Sequence, residues 1–162
     1  MAQSELDLFK WSALIAVLGG AAWFDLRERR IPNAIVVLGG SVALICAALA
    51  GTFASAVVGA ALGLCLLLPL YGLRAAGAGD LKLLSVAGAF VGFPAIVMTT
   101  LLTLCAGGVL ALAFMLRFRT LTSAAASSRG AGTAARLPYA LAISAGVLLD
   151  LTWRAWSAAA LP

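Results

Sequence analysis

Apolar stretches alternate with short polar, glycine or proline breaks along most of the chain. They run from about residue 9 to 24, 33 to 50, 53 to 73, 81 to 91, 95 to 116 and 138 to 153. All but the fourth approach the length of about 20 residues that a helix needs to cross a bilayer. The pattern predicts six transmembrane helices, of which the fourth is short and is expected to begin in a pocket lined by the protein itself.

The breaks between these stretches contain residues that stop helices. Pro32 suits the first turn of the second helix, Gly51-Thr52 forms a minimal turn, and Gly92-Phe93-Pro94 ends the fourth helix. Residues 117–137 are rich in Ser, Ala, Gly and Thr and are predicted to form a flexible loop. Within the third stretch, Gly59-x-x-x-Gly63 offers a small-residue face for close helix contact.

Composition supports a membrane protein. Of 162 residues, 64% are hydrophobic and 10% are charged, whereas soluble domains average about 25% charged residues. A signal peptide is an alternative for the first stretch, but Glu5 and Asp7 stand where a signal peptide carries basic residues. We therefore expect an all-α, polytopic membrane protein that forms a single domain over residues 1–162.

Basic residues are unevenly divided between the two sides that six spans would define. One side holds nine of the 11 Lys and Arg residues, and the other holds only Lys10 and Arg154. Because cytoplasmic loops are enriched in Lys and Arg, both chain ends are predicted to lie outside. Asp25 and Asp80 are then expected at the cytoplasmic face. The basic residues on that side are Arg27, Arg29, Arg30, Arg74, Lys82, Arg117, Arg119, Arg129 and Arg136.

The stretch Gly77-Ala78-Gly79-Asp80 carries an acid between two strongly apolar segments. An acid at a membrane boundary is costly and points to function. The two glycines allow the backbone to leave the helix and to approach another segment closely. The pattern favours a wet pocket that contains a carboxylate. The alternative is that Asp80 caps the following helix, since Asp is a preferred N-cap residue, and both interpretations can hold together.

Two acids, Asp25 and Asp80, are thus expected at one membrane face, each near a break in the helical pattern. Two nearby carboxylates share a proton, so that one is ionised and the other is protonated. Such a pair can activate water and protonate a carbonyl, which hydrolyses a peptide bond without a covalent intermediate. A proton- or cation-coupled carrier is the alternative, because carriers also use acids within membranes. The residues alone leave both functions open.

Few other residues of the chain could take part in catalysis or metal binding. The chain contains no His, which excludes Ser-His and Cys-His catalysis and His-based metal sites. Cys46, Cys65 and Cys105 lie in apolar stretches without a CxxC pair, so neither a zinc site nor a disulfide framework is indicated. We expect no metal and no cofactor. Asp150 precedes Arg154 by one helical turn, which predicts an ion pair at the outer interface.

Three segments together resemble the motifs of one family. Residues 25–33 (DLRERRIPN) are similar to the first aspartate motif of the type IV prepilin leader peptidases. Residues 77–84 (GAGDLKLL) are similar to their second motif, the GxGD signature of intramembrane aspartyl proteases. Residues 136–140 (RLPYA) are similar to the Pro-Tyr segment of their last helix. The motifs follow the family's order, and the resemblance extends over nearly the whole chain from Asp25 onward.

The resemblance implies an aspartyl endopeptidase with Asp25 and Asp80 as catalytic residues. It implies cleavage of short basic leaders from prepilin-like proteins at the cytoplasmic face of the bacterial inner membrane. The expected partners are a prepilin-like substrate and membrane lipid, without nucleic acid, and no oligomeric state is predicted. A carrier or a pilus-assembly scaffold with the same helices is the alternative. Residues expected to shape the site are Pro32, Asn33, Gly77, Gly79, Lys82, Pro138 and Tyr139.

The chain departs from the large members of that family. Those members carry a cytoplasmic domain with four cysteines and also N-methylate the new amino terminus, whereas no such cysteine set occurs here. We therefore expect no methyltransferase activity. The chain is more similar to the short peptidases of tight-adherence (Flp-type) pili, and the archaeal preflagellin peptidases are a nearby alternative.

A division of roles between the two acids follows from their expected helix positions. Asp25 ends the first helix, where the negative pole of the dipole disfavours a carboxylate, although the arginines beside it favour ionisation. Asp80 begins the fourth helix, where free N–H groups and the positive pole favour the anion. These positions predict that Asp80 is the resting carboxylate and that Asp25 holds the proton.

Overall fold

The computed structural model describes residues 3–28, 31–73, 76–122 and 139–160. These residues form helices and short connections without a strand, so the all-α class is confirmed. The predicted loop at 117–137 is wrong at its start, because the fifth helix continues to Thr122, and the rest of that loop lies outside the described residues. The helices are α1 (Gln3–Glu28), α2 (Asn33–Leu49), α3 (Phe53–Gly72), α4 (Ala78–Val91), α5 (Ala95–Thr122) and α6 (Tyr139–Ala160).

Three helices in the described part of the chain are long and apolar enough to cross a membrane. They are α1, α3 and the part of α5 over Ala95–Ala113. Helix α2 is apolar but has 17 residues, and α4 has 14. At 1.5 Å per residue α4 is about 21 Å long, less than the roughly 30 Å of a bilayer's hydrocarbon core. Six full spans are therefore not confirmed.

Helix α4 forms the centre of the fold. It contacts each of the other five helices, and nine of its 14 residues are buried. Leu83, Leu84 and Phe90 of α4 are completely buried and share one core with Leu14 of α1 and Leu67 of α3. Because all five other helices contact α4 and most of its residues are buried, much of this helix is sheltered from lipid.

The outer surface of the helix bundle is strongly apolar. Large hydrophobic side chains are exposed on α1, α2, α3, α5 and α6, among them Leu38, Leu101 and Leu148. Soluble monomers rarely expose large contiguous apolar surfaces, whereas a helix that faces lipid tails does so as a rule. The pattern of exposure is that of a membrane protein.

Helices α3 and α4 approach each other at backbone distance. A Cβ atom built on Gly59 would fall on the carbonyl oxygen of Gly88, and one built on Gly63 would lie 2.5 Å from the carbonyl oxygen of Leu84. The close contact predicted for the Gly59-x-x-x-Gly63 face is therefore confirmed. Because two backbones are in contact here, α3 holds α4 at a defined depth in the bundle.

The predicted breaks fall at helix ends. Pro32 is the N-cap of α2, with extended backbone (φ −60°, ψ 133°), rather than a residue of its first turn as predicted. Gly92 ends α4 with φ 78° and ψ 177°, a conformation that is almost confined to glycine. A Cβ atom there would lie 2.7 Å from the hydroxyl of Ser55. Gly92 thus permits the sharp turn from α4 into α5.

Candidate active site

Asp80 lies in the first turn of α4, three residues after the N-cap Gly77. Its Oδ2 accepts a hydrogen bond of 2.8 Å from the backbone N–H of Gly77, one of the N–H groups that a helix start leaves without an internal partner. Asp80 is therefore not the N-cap residue that the sequence predicted, because α4 begins at Ala78 and not after Asp80. Its carboxyl group nevertheless caps the helix start through the N–H of Gly77. Asp80 is also only 8% exposed. Burial of a carboxyl group costs free energy, and a capping residue at the protein surface does not have this cost.

Asp25 lies in the last turn of α1 and is half-buried. Its Oδ2 accepts a hydrogen bond of 3.3 Å from the backbone N–H of Ala140, in the first turn of α6. The free N–H groups and the positive pole at the start of α6 favour the ionised form of Asp25. This contact counteracts the effect of the α1 dipole, which disfavours the ionised form of Asp25. The sequence-based prediction that Asp25 holds the proton rested on that dipole.

The two acids are close enough to interact electrostatically. Burial raises the pKa of Asp80 to about 6; the hydrogen bond from Gly77 opposes this rise, and the negative charge of Asp25 adds to it. Asp80 lies outside the three helices that are long enough to span a membrane. The structure thus brings Asp25 and Asp80 together from two helices that are distant in sequence.

Gly79 allows a close contact between the start of α4 and the residue that precedes Pro32. A Cβ atom on Gly79 would lie 3.3 Å from side-chain atoms of Ile31, and one on Gly77 would lie 3.2 Å from Oδ2 of Asp80. Gly77 has φ −87° and ψ 161°, which any residue can adopt. The two glycines therefore matter through the space they leave and not through an unusual backbone conformation.

Asn33 and Lys82 connect the start of α2 to the start of α4. The Lys82 Nζ donates a hydrogen bond of 2.9 Å to the side-chain oxygen of Asn33, and both residues are exposed. Lys82 follows Asp80 by two residues, which is about 200° around a helix. The hydrogen bond therefore fixes α4 from the side opposite the acid.

Tyr139 is buried at the first position of α6, next to Ala140. Its ring packs against α5 at Gly107, where a Cβ atom would lie 3.0 Å from Cε2 of the ring. Pro138 lies outside the described residues. Gly107 was not singled out from the sequence, because it is one of 17 glycines. Ala140 belongs to the Pro-Tyr segment, but the contact of its backbone N–H could not be predicted because it leaves no signal in the residue type.

Asp150 belongs to a separate polar cluster between α5 and α6. Its predicted ion pair with Arg154 is confirmed, with 2.9 Å between Oδ2 and Nε, but Asp150 is only 1% exposed. The hydroxyl of Thr99 donates a hydrogen bond of 2.7 Å to the same oxygen. Asp150 is about 16 Å along α6 from Tyr139, so it is not part of the candidate site. No cluster that could hold a metal ion occurs among the residues described.

The comparison with known families decides between the classes of function. Residues 12–112, more than half of the 162 residues, match the type IV leader peptidase family. The chain belongs to the type IV leader peptidase family. The match includes Asp25 and Asp80 and ends before Tyr139. Comparisons with curated proteins and with solved structures gave no match.

Membership in the leader peptidase family confirms the resemblance drawn from the motifs. It makes this chain a protease of the prepilin leader peptidase type, and its apolar helices make it a membrane protein. The sequence between the two acids, including α2, α3 and their connections, lies entirely within the matched range. Asp25 and Asp80 therefore both lie in the part of the chain that matches the family.

Proposed function

We propose that this protein is an aspartyl endopeptidase that removes the basic leader from prepilin-like precursors, with Asp25 and Asp80 as its catalytic pair. The observation that carries the proposal is the placement of the two acids where the end of α1, the start of α4 and the start of α6 meet, with Asp25 hydrogen-bonded to Ala140 and Asp80 buried. Membership in the leader peptidase family supports the choice of substrate class. A pair of interacting carboxyl groups is what hydrolysis by activated water requires.

We assign the base to Asp25 and the shared proton to Asp80. This reverses the roles predicted from each acid's own helix. The N–H of Ala140 and the positive pole of α6 stabilise Asp25 as an anion. Asp80 is more deeply buried, and burial raises its pKa to about 6. The acid with the drier surroundings therefore keeps the proton.

The proposed reaction uses four proton transfers and forms no covalent intermediate with the enzyme. Asp25 takes a proton from water, whose oxygen attacks the scissile carbonyl carbon, while Asp80 gives its proton to the carbonyl oxygen. The resulting diol collapses when Asp25 passes its proton to the amide nitrogen and the C–N bond breaks. Asp80 recovers a proton from a diol hydroxyl as the new carboxyl group forms. Both acids then return to their starting state.

We further propose that the site faces the cytoplasm of a bacterial inner membrane and that both chain ends lie outside. The distribution of basic residues supports this orientation, with nine on one side and Lys10 and Arg154 on the other. The contacts of Asp25 support it as well, because the end of α1 meets the start of α6. Helices that alternate in direction across a membrane bring such ends to the same side.

We propose that the precursor is recognised mainly through its apolar helix. The chain has a net charge of +5, so electrostatic attraction to a basic leader does not account for affinity. Peptides that contain only the leader and the scissile bond should be cleaved far more slowly than full precursors. Equal cleavage of both would contradict this account. Methyltransferase activity is not part of the proposal, because Cys46, Cys65 and Cys105 are separated on α2, α3 and α5.

The test of the proposal is the cleavage of a full precursor by purified Asp25→Asn and Asp80→Asn variants in liposomes. General acid or base catalysis contributes about 10²–10⁴-fold, so each variant should lose at least about 100-fold in rate. Glu28→Gln is the matched control, because Glu28 is an exposed acid in the same last turn as Asp25. It should cleave like the unmodified protein.

The variants should retain helical content and membrane insertion, so that a loss of cleavage reports chemistry and not folding. Cleavage by either Asn variant at a rate close to that of the unmodified protein would contradict the two-acid mechanism. A folded, unmodified protein that cleaves none of the prepilin-like precursors offered to it would favour the scaffold alternative.

A further inference from the structure

A groove of about 290 Å³ runs between α2, α3 and α4. We call it the α2–α4 groove. Its walls include Val36, Gly40 and Leu44 of α2, Leu64 of α3 and Val86 of α4. Val36 and Leu44 are eight residues apart, so the groove is about 12 Å long. Its lining is mainly apolar, with Ser41 and Ser85 as the two hydroxyl-bearing residues, and it opens on the outer surface of the bundle.

One end of the α2–α4 groove carries a positive charge. Lys82 lines the groove at the start of α4. Its ammonium group donates a hydrogen bond to the neutral side chain of Asn33, and no acid in the described part of the chain forms an ion pair with it. Asn33 leaves the charge of Lys82 uncompensated. The groove therefore has a cationic end and an apolar body.

We propose that the α2–α4 groove binds an anionic phospholipid, with the phosphate at Lys82 and one acyl chain along the apolar wall. Charge complementarity selects the headgroup, as it does in basic pockets between transmembrane helices. The length and apolar walls of the groove suit one acyl chain. The basic leader of a precursor would meet a like charge at Lys82, which disfavours the precursor as the occupant.

The direction in which the groove faces also separates it from the candidate active site. The residues of α4 that line it are Lys82, Ser85, Val86 and Ala89. Asp80 is about 200° around α4 from Lys82 and is not among them. A molecule in the groove therefore contacts the side of α4 opposite to Asp80. The lipid site is independent of the proposed cleavage reaction.

A second groove offers an internal control. It lies between α1 and α2, has a volume of about 320 Å³ and is lined by apolar residues that include Val17, Ile35 and Leu38. None of the residues that line it is charged. An acyl chain in this second groove meets no cation, so it should show no preference for an anionic headgroup.

The experiment measures lipid binding at each groove with a local probe. A single cysteine replaces Ser41 in the α2–α4 groove or Leu38 in the second groove, in a background that lacks the three native cysteines, and carries a small fluorophore. Brominated phosphatidylglycerol and brominated phosphatidylcholine quench the fluorophore when their chains occupy the groove. At Ser41 the anionic lipid should bind about fivefold more tightly, the effect of one basic residue.

Substitutions of basic residues test whether the preference for the anionic lipid depends on Lys82. Lys82→Met, which keeps the apolar stem, should abolish the preference at Ser41, and Lys82→Arg should retain it. Lys10→Met removes one charge elsewhere on the chain and should change nothing. The Leu38 probe should report equal binding of the two lipids in every variant.

Three outcomes would overturn the proposal. They are equal binding of the two lipids at Ser41, an unchanged preference in Lys82→Met, and displacement of the brominated lipid from Ser41 by a prepilin-like precursor. The last outcome would assign the groove to the substrate.

Discussion

The backbone N–H of Ala140 donates a hydrogen bond to the carboxylate of Asp25, with 3.3 Å between the nitrogen and Oδ2. The last helix of the described chain thus stabilises an acid at the end of the first. Among the described residues, Asp80 has no comparable contact with another helix start; it accepts a hydrogen bond from Gly77, the N-cap of its own helix. The two acids therefore have different surroundings, and this difference gives the pair distinct acidic and basic members.

The pH dependence of cleavage follows from that difference. Asp80 must be protonated and Asp25 ionised for the proposed reaction. Because the pKa of Asp80 is raised to about 6, kcat/KM should fall as the pH rises through about 6, and it should fall again in acid as Asp25 takes up a proton. The two apparent pKa values belong to the pair. Cleavage measured in liposomes across this range tests the prediction, and a rate that only rises with pH would contradict it.

The stability of the protein should depend on pH through Asp80. Its pKa rises from 3.8 to about 6 on folding, so the folded state binds more protons and loses stability as the pH rises between these values. Asp80→Asn cannot ionise and keeps an oxygen for the Gly77 N–H. Above about pH 6 it should be more stable than the unmodified protein, by up to about 3 kcal/mol at 1.36 kcal/mol per pH unit.

This advantage of Asp80→Asn should disappear below pH 3.8, where the unmodified carboxyl group is protonated in both states. Unfolding followed by circular dichroism in detergent at several pH values measures it. Glu28→Gln serves as the control, since Glu28 is exposed. A stability gap that is the same at every pH would show that ionisation of Asp80 is not its cause.

The buried cluster around Asp150 should contribute measurably to stability. Thr99→Val removes a hydroxyl that donates to the buried carboxylate over 2.7 Å, and loss of a buried partner costs about 1–3 kcal/mol. Thr152→Val is the matched control, because the Thr152 hydroxyl is exposed and donates only to a carbonyl of its own helix. Equal unfolding free energies for the two variants would contradict a stabilising role for the Thr99–Asp150 contact.

The proposed orientation can be tested at the two ends of α3. Thr52 and Leu73 flank this helix and are both exposed. In a background without native cysteines, Thr52→Cys should react with an impermeant thiol reagent added to intact cells, and Leu73→Cys should react only after the membrane is opened. The reverse pattern would contradict the orientation and the cytoplasmic site together.

The ends of several helices could be predicted from the sequence because backbone chemistry acts locally. Pro32 has no N–H to donate, and it precedes α2. Gly51 has φ 71° in the turn between α2 and α3, and Gly92 has φ 78° at the end of α4. Such residues interrupt a helix whatever surrounds them, so no knowledge of the tertiary structure was needed.

The roles of the acids could not be predicted, because they depend on contacts between distant segments. The dipole of each acid's own helix predicts the opposite roles, because the N–H that stabilises Asp25 belongs to Ala140, 115 residues away. The burial of Asp80 follows from the packing of five helices around α4. Hydropathy could not predict the burial of α4 either, since residues that face lipid and residues that face protein are both apolar.

The central position of α4 has a consequence for how the protein enters the membrane during synthesis. A helix of 14 residues with a buried acid in its first turn is a poor substrate for insertion on its own, because its length and its charge both disfavour transfer into lipid. Its backbone is in close contact with Gly59 and Gly63 of α3, which is synthesised before α4. Helix α3 can therefore act as an intramolecular chaperone that is already in the bilayer when α4 emerges.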